Sequence, residues 1–204
     1  MIVYVETNFL LELALDREQA HSCRQLLDWS HDNWIEMRVP VYALAEGQSA
    51  LVGLRTGRLK VIESLRSQAR DLARMTRSET LARMCKEAAE ALSASNEVDH
   101  ASLNEVMREV GGTASFIPLS KAAVELAEIV RRQGAVKGHG DLMIFASILE
   151  DLSERGWTGT PDSALFVTRD QDFGDDASQW IRGYACELLN SYDAAVARLK
   201  GTIE

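Results

Sequence analysis

Acidic side chains are the residues of this sequence whose types and positions could do chemistry. Glu6, Glu46, Asp141 and Asp170 lie in four distant segments, each near a predicted strand end or inside a predicted apolar helix. Ligands bind an open parallel sheet just beyond the carboxyl ends of its strands. Carboxylates held close together repel unless cations neutralise them or some stay protonated. Because hard oxygen ligands suit Mg²⁺ or Mn²⁺, the sequence predicts a site for one of these cations.

Each acid also has an ordinary structural interpretation. Asp141 would cap a helix, since Asp is a common N-cap before an apolar run. Asp170 and Asp172 would form a turn. Glu46 would be solvated beside an apolar helical stripe formed by Val41, Leu44, Gln48 and Leu51. Glu6 is harder to explain in this way, because a glutamate that ends a buried strand is costly to desolvate without a partner.

Strands and helices alternate along the chain, which predicts an α/β fold. The β-branched and aromatic residues Ile2-Val3-Tyr4-Val5 predict a first strand that runs directly into a helix. Further strands are predicted over 34–39, 114–119 and 164–168, with an edge strand at 184–188. Helices are predicted over 17–31, 41–53, 120–132 and 142–149, and after 190. Such alternation implies a mainly parallel central sheet covered on both faces, a three-layer α/β/α architecture.

The stretch at about 54–112 has a different composition and hydrophobic pattern from the rest of the chain. It contains no proline between Thr56 and Val110, and its apolar periodicity predicts two or three helices. We expect breaks at Thr76-Arg77-Ser78 and at residues 93–96, and an end at Gly111-Gly112. The prediction is one domain over 1–204 that carries a helical insertion at about 54–112.

Arginines recur within that insertion. Arg66, Arg70, Arg74 and Arg77 are spaced by 4, 4 and 3 residues, which predicts one row on a helix. Nine basic and three acidic residues lie between positions 55 and 86, a local charge of +6, although the whole chain carries −9. The row would meet the phosphates of a single-stranded polyanion. A solubilising face or an interface with an acidic protein explains the same residues.

The composition excludes several classes of protein. The chain has 204 residues, 46% of them hydrophobic, enough for a compact core. No apolar run reaches the length of a membrane span, and no basic region precedes the hydrophobic N-terminus. Three widely separated cysteines match no metal knuckle. We therefore expect a soluble cytoplasmic protein with reduced thiols.

Four segments, VYVETNFLL, VPVYALAEGQSAL, GDLMIFASIL and LFVTRDQDF, occur in an order that resembles the PIN-domain ribonuclease family and its VapC-like toxins. The resemblance implies a metal-dependent nuclease and often a homodimer. It assigns catalysis and metal binding to Glu6, Glu46, Asp141 and Asp170, with Asp172 as an outer metal ligand, and supporting roles to Thr7, Asn8 and Thr168. The chain departs from the family at Glu6, where aspartate is usual, and in its longer helical stretch.

The predicted function is therefore endoribonucleolytic hydrolysis of RNA, in which Mg²⁺ or Mn²⁺ lowers the pKa of a coordinated water. Lys137 and His139 would contact substrate phosphate, although an ordinary surface loop explains them as well. An antitoxin-like protein is a further candidate partner. One alternative is a PIN-like module that binds RNA or protein without cleaving. A haloacid-dehalogenase-type phosphatase is less favoured, because it needs an aspartate nucleophile where this chain has Glu6.

Overall fold

The computed structural model describes residues 1–156 and 164–203, with side chains as far as residue 201. Its described strands form one parallel sheet in the order β3-β2-β1-β4-β5. They are β1 (Ile2–Val5), β2 (Glu36–Pro40), β3 (Ser115–Ile117), β4 (Ala164–Val167) and β5 (Cys186–Leu189). The central strands β1 and β4 are buried along their whole length, as expected for parallel strands covered on both faces.

Helices occupy most of the remaining described chain. They are α1 (Thr7–Ala14), α2 (Ala20–His31), α3 (Val41–Leu72), α4 (Glu79–Thr113), α5 (Lys121–Gln133), α6 (His139–Glu154), α7 (Asp175–Arg182) and α8 (Tyr192–Ile203), with a 3₁₀ turn at Thr76–Ser78. None of the helices in the described part of the chain is both long and apolar enough to cross a membrane.

Helices cover both faces of the sheet. On one face, the Tyr4 hydroxyl of β1 donates to Asp151 of α6 at 2.7 Å, and Phe166 of β4 packs against Phe145 of the same helix. Helices α2 and α8 cover the other face. The predicted three-layer α/β/α fold with a parallel sheet is confirmed.

The strand order reverses between β1 and β4. The chain proceeds outward from β1 to β2 and β3 on one side, and β4 and β5 add to the other side of β1. The two loops that leave β1 and β4 therefore diverge and open a crevice at the carboxyl edge of the sheet. Ligands of open α/β sheets bind at such reversal points, so this edge is where a functional site is expected.

The chain divides into two compact units. Met1–Gly47 and Glu105–Glu204 form the sheet unit, and Gln48–Asn104 form the hairpin unit. In the hairpin unit, α3 and α4 are joined by a short connection and pair through Arg58 and Asp99, as antiparallel helices do. The interpretation of the whole chain as one domain with an insertion at 54–112 stays a prediction.

Several predicted boundaries were wrong. Helix α3 does not end near residue 53 but continues to Leu72, because a glycine inside a helix costs only about 1 kcal/mol and Gly53 does not end it. Helix α4 runs through the expected break at 93–96 and past Gly111-Gly112 to Thr113. Asn96 is buried and its side chain accepts a hydrogen bond from Arg58, so this polar residue stabilises helix packing instead of starting a turn.

Candidate active site at the carboxyl edge of the sheet

Glu6 lies one residue beyond β1, where it is the N-cap of α1. Its Oε2 accepts the backbone N–H of Asn8 at 2.7 Å, and its Oε1 accepts from the Tyr192 hydroxyl of α8 at 3.4 Å. The side chain is almost fully buried. The pKa of Glu6 is raised to about 8, mainly by burial and also by the negative charge of Asp170, although hydrogen bonds from Asn8 and Thr168 oppose the rise. Glu6 is therefore a tethered, desolvated carboxyl group at the reversal point.

The turn after β4 brings Asp170 to the same place. The Thr168 hydroxyl accepts from the backbone N–H of Asp170 at 2.9 Å and also hydrogen-bonds the Glu6 side chain. Asp170 Oδ1 in turn accepts the backbone N–H of Asp172 at 2.8 Å. Asp170 is thus a turn former, as one interpretation proposed, and it also carries a charge that acts on Glu6.

Glu46 reaches the edge from the second turn of α3. Its Oε2 accepts a 2.5 Å hydrogen bond from the Thr7 hydroxyl of α1. The carboxylate rests against Gly140 of α6, where an added Cβ would lie 1.8 Å from Glu46 Oε1. The absence of a side chain at position 140 therefore makes room for Glu46. The apolar stripe proposed beside it was wrong in part, because Val41 is 43% exposed.

Asp141 lies in the first turn of α6, and the N-cap of that helix is Gly138. The interpretation of Asp141 as a cap was therefore wrong. The pKa of Asp141 is raised to about 6. Burial is the largest cause, and the negative charges of Asp170, Glu46 and Asp172 add to it. These carboxylates must lie within electrostatic reach of Asp141, so the fold gathers acids from α3, α6 and the loop after β4.

The donor chemistry of this cluster fits a hard divalent cation, because it consists of carboxylate oxygens. In the part of the chain that the structure describes, no three His, Cys, Asp or Glu side chains lie close enough together to hold a metal ion as they stand. No ion pair neutralises Glu46, Asp141 or Asp170 among these described residues either. Like charges held close together repel unless a cation neutralises them.

Two further contacts were not anticipated from sequence. Arg169 pairs with Glu12 of α1 at 2.9 Å, and Glu12, itself buried, also accepts the backbone N–H of Gln19. Tyr192 is fully buried against Phe9. Glu12 could have been noticed as an acid inside the apolar run FLLELAL. No sequence signal connects Tyr192 with Glu6, because the two residues are almost the whole chain apart.

The residues proposed to bind substrate are all exposed. Lys137 precedes α6, and His139 is its first residue. Arg66 and Arg70 lie on α3 in the hairpin unit, where they line an open groove of about 650 Å³ with Lys86 of α4. The prediction of a single helical arginine row was wrong, because α3 ends at Leu72. The other two arginines of the predicted row lie beyond the end of the helix. Arg74 is in a turn, and Arg77 is in the 3₁₀ turn.

Comparisons with known proteins add little to this geometry. No protein-family model matches the chain, and no curated protein matches it. The chain is similar to a solved structure of VapBC2 from Rickettsia felis bound to a DNA fragment from their promoter, with 16% identity and a TM-score of 0.45 over 94% of this chain and 99% of that one. Similarity at this level does not establish a family.

Proposed function

We propose that the protein is a metal-dependent nuclease that hydrolyses phosphodiester bonds in RNA, as the resemblance of its acidic segments to PIN-domain ribonucleases implies. One observation carries the proposal: Glu46, Asp141 and Asp170 come from three separate elements at the carboxyl edge of the sheet, and the charges of Glu46 and Asp170 help to raise the pKa of Asp141. A protein gains no stability from gathering like charges, so the arrangement is best explained by a cation that binds between them.

Glu46, Asp141 and Asp170 would hold Mg²⁺ or Mn²⁺, with Glu6 and Asp172 at the margins of the cluster. The bound ion would supply a water of lowered pKa and charge stabilisation for the leaving oxygen. The protein's own residues fix the acids. Thr7 holds Glu46 through its hydroxyl. Hydrogen bonds from neighbouring groups that orient ligands in this way are typical of metal sites.

Glu6 is placed differently from the other acids. Both of its oxygens accept hydrogen bonds, one from Asn8 and one from Tyr192, and Thr168 adds a third contact. A carboxyl group fixed in this way would orient the turn that carries Asp170. We therefore assign Glu6 to positioning that turn, while the three acids that are less constrained bind the ion.

The substrate would enter beside exposed cationic side chains. Lys137 and His139 flank the N-terminus of α6, close in sequence to Asp141, where a helix N-terminus also favours anions. The groove with Arg66 and Arg70 in the hairpin unit provides flexible ligands for the phosphates of a single strand.

The test is cleavage of a pool of single-stranded RNA by the full chain with and without Mn²⁺. Asp141→Asn should reduce cleavage by at least about 100-fold, the scale at which loss of one catalytic electrostatic group acts. Asp176→Asn is the matched control, because Asp176 is an exposed aspartate in the first turn of another helix, α7. Equal cleavage by all three proteins would overturn the proposal. Mn²⁺-independent RNA binding without cleavage would favour a binding module.

A further inference from the structure

A polar pocket of about 550 Å³ lies at the end of α1. Two of its lining residues are joined to the acidic cluster: the backbone N–H of Asn8 donates to Glu6, and Arg169 directly precedes Asp170. The proposed nuclease function uses none of the charged side chains in this pocket. The rest of its lining is charged and comes from α1 and the turn after it: Glu12, Asp16, Arg17 and Glu18.

The turn that follows α1 shapes one wall of this pocket. Asp16 has a φ of 47°, in the left-handed region that aspartate enters more readily than most residues. The backbone N–H of Arg17 donates to the Glu12 carbonyl at 3.0 Å. The Glu12 side chain accepts the backbone N–H of Gln19 at 2.9 Å. Glu12 therefore fixes the backbone of this turn at two points.

Arg169 is held by two glutamates in unlike surroundings. Its Nη1 donates to Glu12 Oε1 at 2.9 Å, and its Nη2 donates to Glu18 Oε2 at 3.1 Å. The Glu12 side chain is 3% exposed, whereas that of Glu18 is 83% exposed. A buried charge needs its partner, but an exposed ion pair contributes little to stability. The bond to Glu12 thus fixes the guanidinium, while the bond to Glu18 can be exchanged at small cost.

We propose that Arg169 binds a phosphate of the substrate beside the acidic cluster, and that Glu18 occupies the position of this phosphate in the free protein. The inference rests on the proposed nuclease function. A guanidinium has several N–H donors, so Nη2 can leave Glu18 for a phosphate oxygen while Nη1 stays on Glu12. Arginine suits this task because its planar donors match the oxygens of a phosphate. Glu18 is then an internal competitor that lowers the affinity for RNA.

The charges of the pocket agree with such a competition. The buried Glu12 is neutralised by Arg169, so its charge does not repel a phosphate strongly. Glu18 is exposed, and its carboxylate can move into solvent, where salt screens it. Asp16 and Arg17, both exposed, then carry opposite charges of equal size. A phosphate that displaces Glu18 therefore meets a balanced rim and the donor groups of Arg169.

The experiment measures the affinity of the full chain for a labelled single-stranded RNA by fluorescence anisotropy, with a chelator present so that no metal-dependent cleavage occurs. Arg169→Gln should weaken binding by about tenfold, because a hydrogen bond to a charged group is lost. Glu18→Gln should tighten binding by about threefold more than Asp16→Asn, the scale of an exposed ion pair. Asp16→Asn is the matched control: it removes the same charge from the same pocket, and asparagine also enters the left-handed region.

A double variant decides whether Glu18 acts through Arg169. In the Arg169→Gln background, Glu18→Gln should have no larger effect than Asp16→Asn, because no guanidinium remains to be released. Circular dichroism checks that each variant is folded. Should Arg169→Gln unfold by leaving the buried Glu12 unpaired, Glu12→Gln/Arg169→Gln replaces it as the background.

Three results would overturn the proposal: no gain of Glu18→Gln over Asp16→Asn, an equal gain in both backgrounds, or no RNA binding by either wild type or Glu18→Gln. The nuclease proposal can fail separately, because these affinities do not depend on cleavage. Mn²⁺-dependent cleavage without the coupling between Glu18 and Arg169 would refute the role of Arg169 alone. The coupling without any cleavage would refute the nuclease and leave a phosphate-binding arginine.

Discussion

The acidic cluster and the arginines differ in how sequence distance relates to spatial distance. Glu46 and Asp170 lie 95 and 29 residues from Asp141 in sequence, yet the charges of both help to raise the pKa of Asp141. Arg66, Arg70, Arg74 and Arg77 lie within twelve residues, yet α3 ends between the second and third of them. Topology gathers residues that a local pattern cannot connect, and a helix end separates residues that a local pattern would join.

The physical reason is the difference between the two kinds of constraint. A parallel sheet places the carboxyl ends of all its strands on one edge, so residues just after strands meet whatever their spacing. A helical row exists only while the helix lasts, and helix ends are set by capping and packing that periodicity does not report. Residues that follow strands can therefore be predicted to lie at one edge of the sheet, whereas the alignment of the arginines depends on where α3 ends.

The largest effect is expected at Gly140, which touches the cluster without being an acid. In Gly140→Ala, the new Cβ would overlap Glu46 Oε1, so the flexible Glu46 side chain must move and lose its bond to Thr7. Cleavage should fall by about 100-fold. The melting temperature should hold or rise, since alanine favours a helix over glycine by about 1 kcal/mol.

Gly112→Ala is the control, because a Cβ there meets open space in α4. It should leave cleavage unchanged. Full activity in Gly140→Ala would show that the position of Glu46 is irrelevant and would remove that residue from the site.

The arginines provide the next effect. In the double variant Arg66→Gln/Arg70→Gln, the slope of log RNA affinity against log salt concentration should become shallower by about 1.4. This corresponds to roughly 0.7 for each lost phosphate contact. Arg74→Gln/Arg77→Gln should change it less, because these residues lie beyond the end of α3. Filter binding at several salt concentrations measures both slopes. Equal slopes for wild type and the first double variant would assign the groove to solubility or to a protein partner.

A smaller effect concerns the pH dependence of stability. The folded-state pKa of Asp141 is about 6, above the value of about 4 in an unfolded chain. The protonated carboxyl therefore stabilises the fold at low pH, and this stabilisation is lost as the pH rises through about 6. Because Asp141 is only partly buried, the loss should be about 1 kcal/mol.

Asparagine removes this penalty. With a chelator present, Asp141→Asn should melt about 3 °C above wild type near pH 8. It should approach wild type at about pH 2.5, below both pKa values. Thermal denaturation at the two pH values measures the difference, and a variant that is less stable at both would refute the repulsion among the acids.

The smallest effect is expected for Tyr192→Phe. The change keeps the ring that packs on Phe9 and removes the hydroxyl that donates to Glu6 at 3.4 Å. Loss of a hydrogen bond of this length should lower the free energy of unfolding by about 0.5 kcal/mol. If Glu6 positions the turn of Asp170, kcat should also fall while KM stays unchanged. A lower stability with unaltered kcat would restrict Tyr192 to packing.

The sequence predicted the parallel α/β sheet because the strands after Met1 and before Thr168 are short, apolar and followed by polar residues. It placed Asp170 just after a strand for the same reason, and Asp141 at the start of an apolar helix. It missed the tether between Glu6 and Tyr192, because α8 contributes one hydroxyl from the far end of the chain. It also missed the role of Gly140, since a residue that makes room for a neighbour has no signature until that neighbour is located.

The most direct measurement of the central claim is anomalous diffraction from crystals of the protein grown with Mn²⁺. The claim is that Glu46, Asp141 and Asp170 surround one divalent cation at the strand-order reversal. We expect an anomalous peak among their carboxylates, with oxygen distances of about 2.1–2.2 Å, close to those of Mg²⁺, and its loss in Asp141→Asn. Well-ordered carboxylates at this edge with no peak, or a peak that persists unchanged in Asp141→Asn, would contradict the claim.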